Sequence, residues 1–457
     1  MVSLEGEIES IDTMMAQFAQ RRASLRRKIN AMSPTARIPP EILAEIFQIA
    51  CQPVDNGHRQ AVTPLFLGSI CRLWRDIVWS TPLLWSTILL RVSRKQPGAQ
   101  VQLLADWLLN ARSAPLSIKL IADDENEYVV CAFQAIMRVL VARSDYWLTF
   151  DSFLPPQCHH IFKNINFPML TSVSLHPPKI SISTFSTPPD MFLTAPKLLN
   201  VDLSGYHFAS MVLPWEQVRR FKTQLLTVTE SLNILRQSPN LQECQLEYVY
   251  SSDSFITKTI MFHAHLKHFD VMLLKAASVS LFDSITLPSL SHLRIHYSGP
   301  EQLPLSSITF LILRSACNLE RFTVEIRSDD ADLISCLEMI PSLIYFRLEI
   351  LGSKHPDMGL TTQFVASLDP FNNSGRLLLP NLKYFEYKGP VLCDCRTIVD
   401  MLAHRWYLSD RGTFQSTFKV SQLKLAEVLS TNYYTITADA QEELNNLWEE
   451  GMLVRIE

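Results

Sequence analysis

Residues 287–296 read LPSLSHLRIH, residues 340–349 read IPSLIYFRLE and residues 379–388 read LPNLKYFEYK. Each places a leucine (Leu290, Leu343, Leu382) two residues after a proline, with large apolar side chains three and five positions further on. In a strand, positions +3 and +5 point to one side and +4 and +6 to the other. These stretches therefore predict short strands that bury Leu293 with Ile295, or Phe346 with Leu348, and turn polar side chains the opposite way. Five further segments carry the same frame: FPMLTSVSLH (167–176), APKLLNVDLS (195–204), SPNLQECQLE (238–247), HAHLKHFDVM (263–272) and ACNLERFTVE (316–325). Most anchor leucines stand 24 to 29 residues apart, a period that holds one strand and one helix. The longer gap from Leu198 to Leu241 predicts a degenerate unit at LPWEQVRRF (213–221), built on Trp215, Val218 and Phe221. Helical patterns over 226–236, 308–315 and 332–339 supply the second wall of each coil. No such coil buries its apolar face alone, so the units must stack on their neighbours.

Stacking leaves an open strand face. Its +4 and +6 positions are Asp202, Glu247, Asp270, Arg294, His296, Thr323, Glu325, Arg347, Glu349, Glu386 and Lys388. Mixed charge of this kind suits a protein partner whose complementary charges fix register. Taken singly, each residue also reads as ordinary solvated surface.

Composition narrows the chemistry. Only 12 of 457 residues are Gly, against 26 Pro, well under the ~7% of average usage. No GxGxxG, GxxxxGK[ST] or GxSxG occurs, which removes the commonest phosphate cradles and nucleophile elbows. Lys plus Arg is 41 and Asp plus Glu is 45, a net charge of -4, which argues against a general nucleic-acid binder. The nine Cys are an odd number and the beginning MVSLEGEIES is acidic; together they predict reduced thiols in the cytoplasm or nucleus. No apolar run reaches membrane-spanning length, so no membrane association is expected. The Asn372-Asn373-Ser374 sequon is read as idle for the same reason.

Leu4, Ile8, Ile11, Met15, Phe18, Leu25, Ile29 and Met32 alternate in steps of four and three, with Arg22 in the slot that breaks the run. This is a helix with a seam for a partner helix. The seam reads either as packing on the chain's own next domain, the preferred reading, or as self-association through residues 4–32. Arg21, Arg22, Arg26, Arg27 and Lys28 form a basic cluster on it, read as a solvated face in preference to a nuclear-import patch. Next come IPPEILAEIF (38–47) and SICRLWRDIVWSTPLLW (69–85). Pro39 and Pro40 stand where a helix can start without losing a needed N–H. So many large apolar residues in so few positions cannot all be buried internally.

These two stretches, with the heptad helix before them, resemble the F-box motif as it occurs in the large F-box families of mushroom-forming fungi. The resemblance implies a three-helix module that docks on a Skp-type adaptor and, through it, a cullin. Pro39, Pro40, Ile42, Leu43, Ile46 and Phe47 match the first half of the motif; Ile70, Cys71, Trp74 and Ile77 match the second. Ile38 stands where the pattern more often has Leu, and the insert CQPVDNGHRQAVT (51–63) lengthens the loop between the halves. The expected class is α+β: an N-terminal helix (1–32), a three-helix F-box (33–86), irregular first repeats (87–160), an irregular α/β leucine-rich-repeat solenoid (161–400) and a C-terminal cap or tail (401–457). The consensus Asn of commoner leucine-rich repeats is missing.

Other constellations are weaker. His263, His265 and His268 form an HxHxxH run in which the first two would share a strand face, yet no Cys or carboxylate stands at finger or HExxH spacing. Cys393-Asp394-Cys395 is not CxxC, Cys158-His159-His160 lies on a loop, and DDENE (123–127) reads as a solvated loop. The expected role is therefore that of a non-catalytic substrate receptor of a ubiquitin ligase, without cofactor or metal, binding a target protein on the repeats. The alternatives are an interaction scaffold with a drifted F-box and, on the scattered Cys and His alone, a metal- or Cys/His-dependent hydrolase.

Overall fold

A computed structural model describes residues 2–52, 62–92, 96–122, 127–176, 191–204, 212–251, 260–299, 302–326, 330–350, 359–371, 377–407 and 420–457. The sequon, most of the 51–63 insert and residues 123–126 of the acidic run lie outside them. The chain divides into two units, residues 1–171 and 172–457.

The first unit begins with α1 (Val2–Ala31), followed by α2 (Pro40–Ala50), α3 (Pro64–Ile70) and α4 (Arg72–Ser80). Pro40 and Pro64 occupy first-turn positions, and the Thr63 hydroxyl accepts the Phe66 N–H to cap α3. α2–α4 close over Leu43, Phe47, Leu67, Ile77, Val78 and Trp85, all buried. The expected packing of α1 on the next domain is not found: its seam residues, Leu4 to Met32, are 48% to 80% exposed. Strands β1 (Thr87–Arg91), β2 (Leu116–Ile121) and β3 (Trp147–Phe153) pair in parallel. Parallel neighbours need a crossover, here α5 (Pro97–Ala111) and α6 (Glu127–Val141). The Trp147 indole N–H donates to the Leu140 carbonyl at 3.2 Å, and its ring stacks on Phe150 at 4.7 Å.

The second unit is a parallel ladder: β4 (Ser172–His176), β5 (Asn200–Asp202), β6 (Arg220–Gln224), β7 (Glu243–Val249), β9 (His268–Leu273), β11 (His292–Tyr297), β12 (Arg321–Ile326), β13 (Tyr345–Ile350), β14 (Tyr384–Gly389), β15 (Leu425–Ser430) and β16 (Leu453–Ile456). A separate pair, β8 (Met261–Phe262) with β10 (Ile285–Thr286), lies outside the ladder. The helices between strands are α7 (Val228–Gln237), α8 (Ser280–Asp283), α9 (Leu305–Ser315), α10 (Asp330–Glu338), α11 (Thr362–Leu368), α12 (Cys395–Tyr407) and α13 (Ala438–Glu449). Position +3 forms an unbroken interior row: Val173, Val201, Phe221, Cys244, Phe269, Leu293, Phe322, Phe346, Phe385, Ala426 and Val454. Phe322, Phe346 and Phe385 stack with centroids 6.0 and 6.2 Å apart. Phe221 stands in this row with Trp215 edge-on at 5.2 Å, so the degenerate unit at 213–221 is a rung. The ladder also runs past residue 400, through β15 and β16. Leu423, Ala426 and Val428 keep the frame there, and the small Ala426 hides it from a search for large apolar residues.

One corner recurs between helix and strand. The anchor N–H donates to the carbonyl three residues back: Leu170 to Phe167 (3.3 Å), Leu198 to Ala195 (3.1 Å), Leu241 to Ser238 (3.1 Å), Leu290 to Leu287, Leu343 to Ile340 and Leu382 to Leu379 (each 3.2 Å). Each is a four-residue turn with Pro at its second place, where the ring's fixed φ is already correct. The residue just before the anchor ties the corner to the preceding unit. Asn240 donates to the Glu216 carbonyl (2.7 Å), Ser289 to Ala264 (2.6 Å), Ser342 to Leu319 (2.7 Å) and Asn381 to Pro341 (3.0 Å). These bonds stand in for the missing consensus Asn. The unit anchored at Leu266 lacks the proline, and the buried His263 takes over: its Nδ1 accepts the Leu266 N–H at 3.2 Å and its Nε2 donates to the Ser238 carbonyl at 2.9 Å.

Arg405 on α12 is fully buried and serves a strained corner. Its Nε donates to the Leu368 carbonyl (2.6 Å), Nη1 to Leu379 (3.1 Å) and Nη2 to Leu378 (2.6 Å). Leu379 itself sits at φ 52°, a left-handed conformation costly for a residue with a Cβ. Arg405→Met removes a buried donor from all three carbonyls, of which Leu379 keeps the Leu382 N–H, and is expected to lower unfolding stability by about 3–5 kcal/mol, read by chemical denaturation, with Arg405→Lys recovering only part.

His263 makes stability depend on pH. Burial lowers its pKa below the ordinary histidine value, and a proton on Nδ1 would displace the Leu266 N–H. The unfolded chain takes up that proton as pH falls through about 6.5 and the folded chain does not, so this contribution is present above that pH and lost below it. Denaturation at pH 7 and pH 5 is expected to show a smaller loss for His263→Asn, whose side-chain carbonyl can still accept the Leu266 N–H, than for the unaltered chain.

Candidate protein-interaction surfaces

In α2–α4 the structure divides the ten residues that match the adaptor-docking motif. Leu43 and Phe47 (each 2% exposed) and Ile77 (5%) point inward, Phe47 meeting Trp74 with ring centroids 4.7 Å apart. They build the module and are not free to touch a partner. Cys71 and Trp74 are half-buried at the α3–α4 junction, where the Trp74 N–H donates to the Cys71 sulfur. The same junction is locked by Arg75 Nε, which donates to the Gly68 carbonyl at 2.9 Å. Trp79 lies so close over Gly68 that a Cβ there would stand 2.1 Å from its ring. The remaining five, Pro39, Pro40, Ile42, Ile46 and Ile70, are exposed.

Ile42, Ile46 and Ile49 follow one another on a single face of α2 at steps of four and three, all solvent-facing. Leu65, Phe66 and Leu73 are exposed on α3 and α4 as well. The motif reading passes over Leu65, Phe66 and Leu73, because a pattern match does not say which apolar residues the core has already used. Exposed apolar groups in this number, beside a complete core, are the mark of a docking surface.

The open strand face of the second unit shows a continuous +4 row: Ser174, Asp202, Lys222, Gln245, Asp270, Arg294, Thr323, Arg347, Glu386, Glu427 and Arg455. Most of the charges foreseen there satisfy one another. Arg294 meets Glu325 at 2.9 Å and His296 holds the other oxygen of the same carboxylate. Arg347 bridges Glu349 (3.3 Å) and Glu386 (3.2 Å), and Lys388 pairs with Glu349. Glu247 pairs with Lys222 at 3.2 Å and accepts from Gln245, while Asp202 accepts the N–H and hydroxyl of Ser204 and closes its own turn. Burial pushes the Glu325 carboxyl up, but the hydrogen bonds from Arg294 and His296 outweigh it and hold the pKa below the usual range. The pairs of Lys222 and Lys388, whose ammonium groups reach solvent, are worth about 0–1 kcal/mol each, so they orient side chains more than they stabilise the fold, whereas Glu325 is buried.

Asp270 is different. Among the described residues it has no hydrogen-bonded or ion-paired partner, since Arg294, its neighbour across the register, turns to Glu325. Burial raises its pKa, and Arg294 offsets that only in part. It lies in a groove of about 670 Å³ that spans β4 to β13. Also in the groove are His268 and His292, edge to face at 4.2 Å, and Arg321 over the Tyr345 ring at 5.3 Å. These four residues occupy position +2, which shares a face with +4 and +6. The period-two rule contained them, and counting only from +4 left them out.

The other constellations resolve into packing. His263 and His265 share no strand; both precede β9, and His263 is spent on its corner. Burial raises the Cys158 and Cys393 thiols to about 11, which leaves them protonated at neutral pH. Among the described residues no three His, Cys, Asp or Glu converge on a point that could hold a metal, and no helix is long and apolar enough to cross a membrane.

No family model matches the chain, and no curated protein does. Among solved structures, the crystal structure of the Rad7 and Elc1 complex in yeast contains a chain that is 12% identical over 93% of this chain and 96% of that one, with a TM-score of 0.38. A likeness of that order carries no inference about function, and the assignment rests on the residues described above.

Proposed function

We propose that this chain is the substrate-recognition subunit of an SCF-type cullin-RING ubiquitin ligase, acting in the cytoplasm or nucleus. α2–α4 dock on a Skp-type adaptor, and the strand-face groove holds a target protein. The observation that carries the reading is the exposure of the motif side chains Ile42, Ile46 and Ile70 on a module whose own core is already filled. Burying such side chains is worth about 25 cal/mol per Å² of apolar surface, and the F-box resemblance says which partner would bury them. The groove supports the second half: Asp270, without a hydrogen-bonded or ion-paired partner among the described residues and partly desolvated, suits a cationic or hydrogen-bond-donating group from outside. The chain itself performs no chemistry. It raises the effective concentration of target lysines at the ubiquitin carrier.

Replacing Ile42, Ile46 and Ile70 with Glu is expected to weaken adaptor binding by about a hundredfold or more, measured by calorimetry, with the thermal unfolding of the chain unchanged. Phe47→Ala would be a poor substitute, because removing a buried ring costs about 3–5 kcal/mol of stability. Unaltered adaptor binding by the triple variant removes these three residues from the docking surface, and no binding by the parent chain returns the protein to the reading of a scaffold outside the ligase. For the groove, Asp270→Lys combined with His292→Glu reverses charge without touching the interior rows. Proximity labelling under proteasome inhibition is expected to lose the proteins labelled by the parent chain by about fivefold or more, with adaptor labelling intact.

A further inference from the structure

The exposed helix α1 is too long and too apolar on one side to be left in water, and its charges identify what covers it. Thirty residues at about 1.5 Å each make a rod of about 45 Å, and an isolated helix of such composition is marginal. In heptad terms Ile8, Met15, Arg22 and Ile29 occupy position a, and Leu4, Ile11, Phe18, Leu25 and Met32 position d. Flanking position g holds Glu7, Met14, Arg21 and Lys28; position e holds Glu5, Asp12, Ala19 and Arg26. The N-terminal half is therefore acidic along the seam and the C-terminal half basic.

That polarity decides between orientations. In a parallel pair, g of one helix faces the following e of the other, so Glu7 would meet Asp12, Arg21 would meet Arg26, and Arg22 would meet Arg22 in the core. In an antiparallel pair, e faces e and g faces g. Glu5 then meets Arg26 and Glu7 meets Lys28, each twice by symmetry. The apolar layers agree with the charges: Leu4 with Ile29, Ile8 with Leu25 and Met15 with Phe18 all follow from one register, in which paired residue numbers sum to about 33. The same register sets Arg22 against Ile11, beside Asp12 rather than against its own copy. A partly polar core layer commonly selects register and orientation at some cost in stability.

We infer that α1 is a homodimerisation element, and that its occupant is the α1 of a second copy, antiparallel, in the register that pairs residues 4 and 29. The inference is independent of the adaptor and of the groove. Sedimentation of the full-length chain at micromolar concentration is expected to show a dimer. Glu5→Lys with Glu7→Lys makes both halves basic and is expected to weaken association by about tenfold or more. Adding Arg26→Glu and Lys28→Glu to the same chain exchanges the two polarities and is expected to restore the dimer. A monomeric parent chain overturns the proposal. So does a dimer indifferent to the first pair of substitutions, which would place pairing elsewhere, and so does a quadruple variant that remains monomeric, because antiparallel pairing requires the rescue.

Discussion

A single hydrogen bond, from the N–H of six of the anchor leucines to the carbonyl three residues back, recurs at the corners of the ladder. It closes the corner at which the chain leaves a helix and enters a strand, and so it fixes which residues enter the interior rows. Proline in the second place of the turn lowers the entropy lost in forming it, and among the described residues no position between proline and anchor has positive φ. Such a corner has no use for glycine. The shortage of glycine that removed phosphate cradles from consideration thus has a structural origin in the turn type. In the unit anchored at Leu266, which lacks the proline, the His263 imidazole supplies the acceptor, and what looked like a metal-binding run is one of these corners.

Much of this was legible. Anchor spacing gave the rungs, including the degenerate one at Phe221, and period two gave the two faces. What escaped did so for identifiable reasons. β15 was hidden because Ala426 fills an interior place with a small side chain. The +2 row of His268, His292, Arg321 and Tyr345 was hidden because the frame was counted from the buried positions forward. In α2–α4 the apolar residues were plain, but their division into core and surface was not. Phe47 and Ile46 are adjacent and both apolar, and the packing of α2 on α4, where Phe47 meets Trp74, makes one interior and the other exterior. The seam of α1 was clear as a pattern, yet a pattern does not say whether the neighbouring module has room to receive it.

The open strand face combines two kinds of polar surface. From β11 to β14, Arg294 and His296 pair with Glu325, while Arg347 pairs with Glu349 and Glu386 and Lys388 with Glu349, and an arriving partner would have to break those pairs to use them. Asp270 on β9 interrupts the pairing among the described residues, with Lys222 and Glu247 paired on the strands before it, and the rings of His268, His292 and Tyr345 line the +2 row beside it. Satisfied charges resist wrong partners and unsatisfied ones reward right ones, so a partner that brings a donor to Asp270 would be favoured over one that must break the pairs around it.

The regular register of the ladder also imposes a metre. Side chains along the +4 row repeat with the strand separation of about 4.8 Å. A helix laid across them repeats every 5.4 Å or so, and an extended chain shows same-side residues at about 6.7 Å. Like the two scales of a vernier, row and partner drift out of step, a helix by about 3 Å over five strands and an extended chain by as much in fewer than two. However long the sheet, a straight partner can be read only in short phrases, and a longer match needs one that bends or changes conformation along the way.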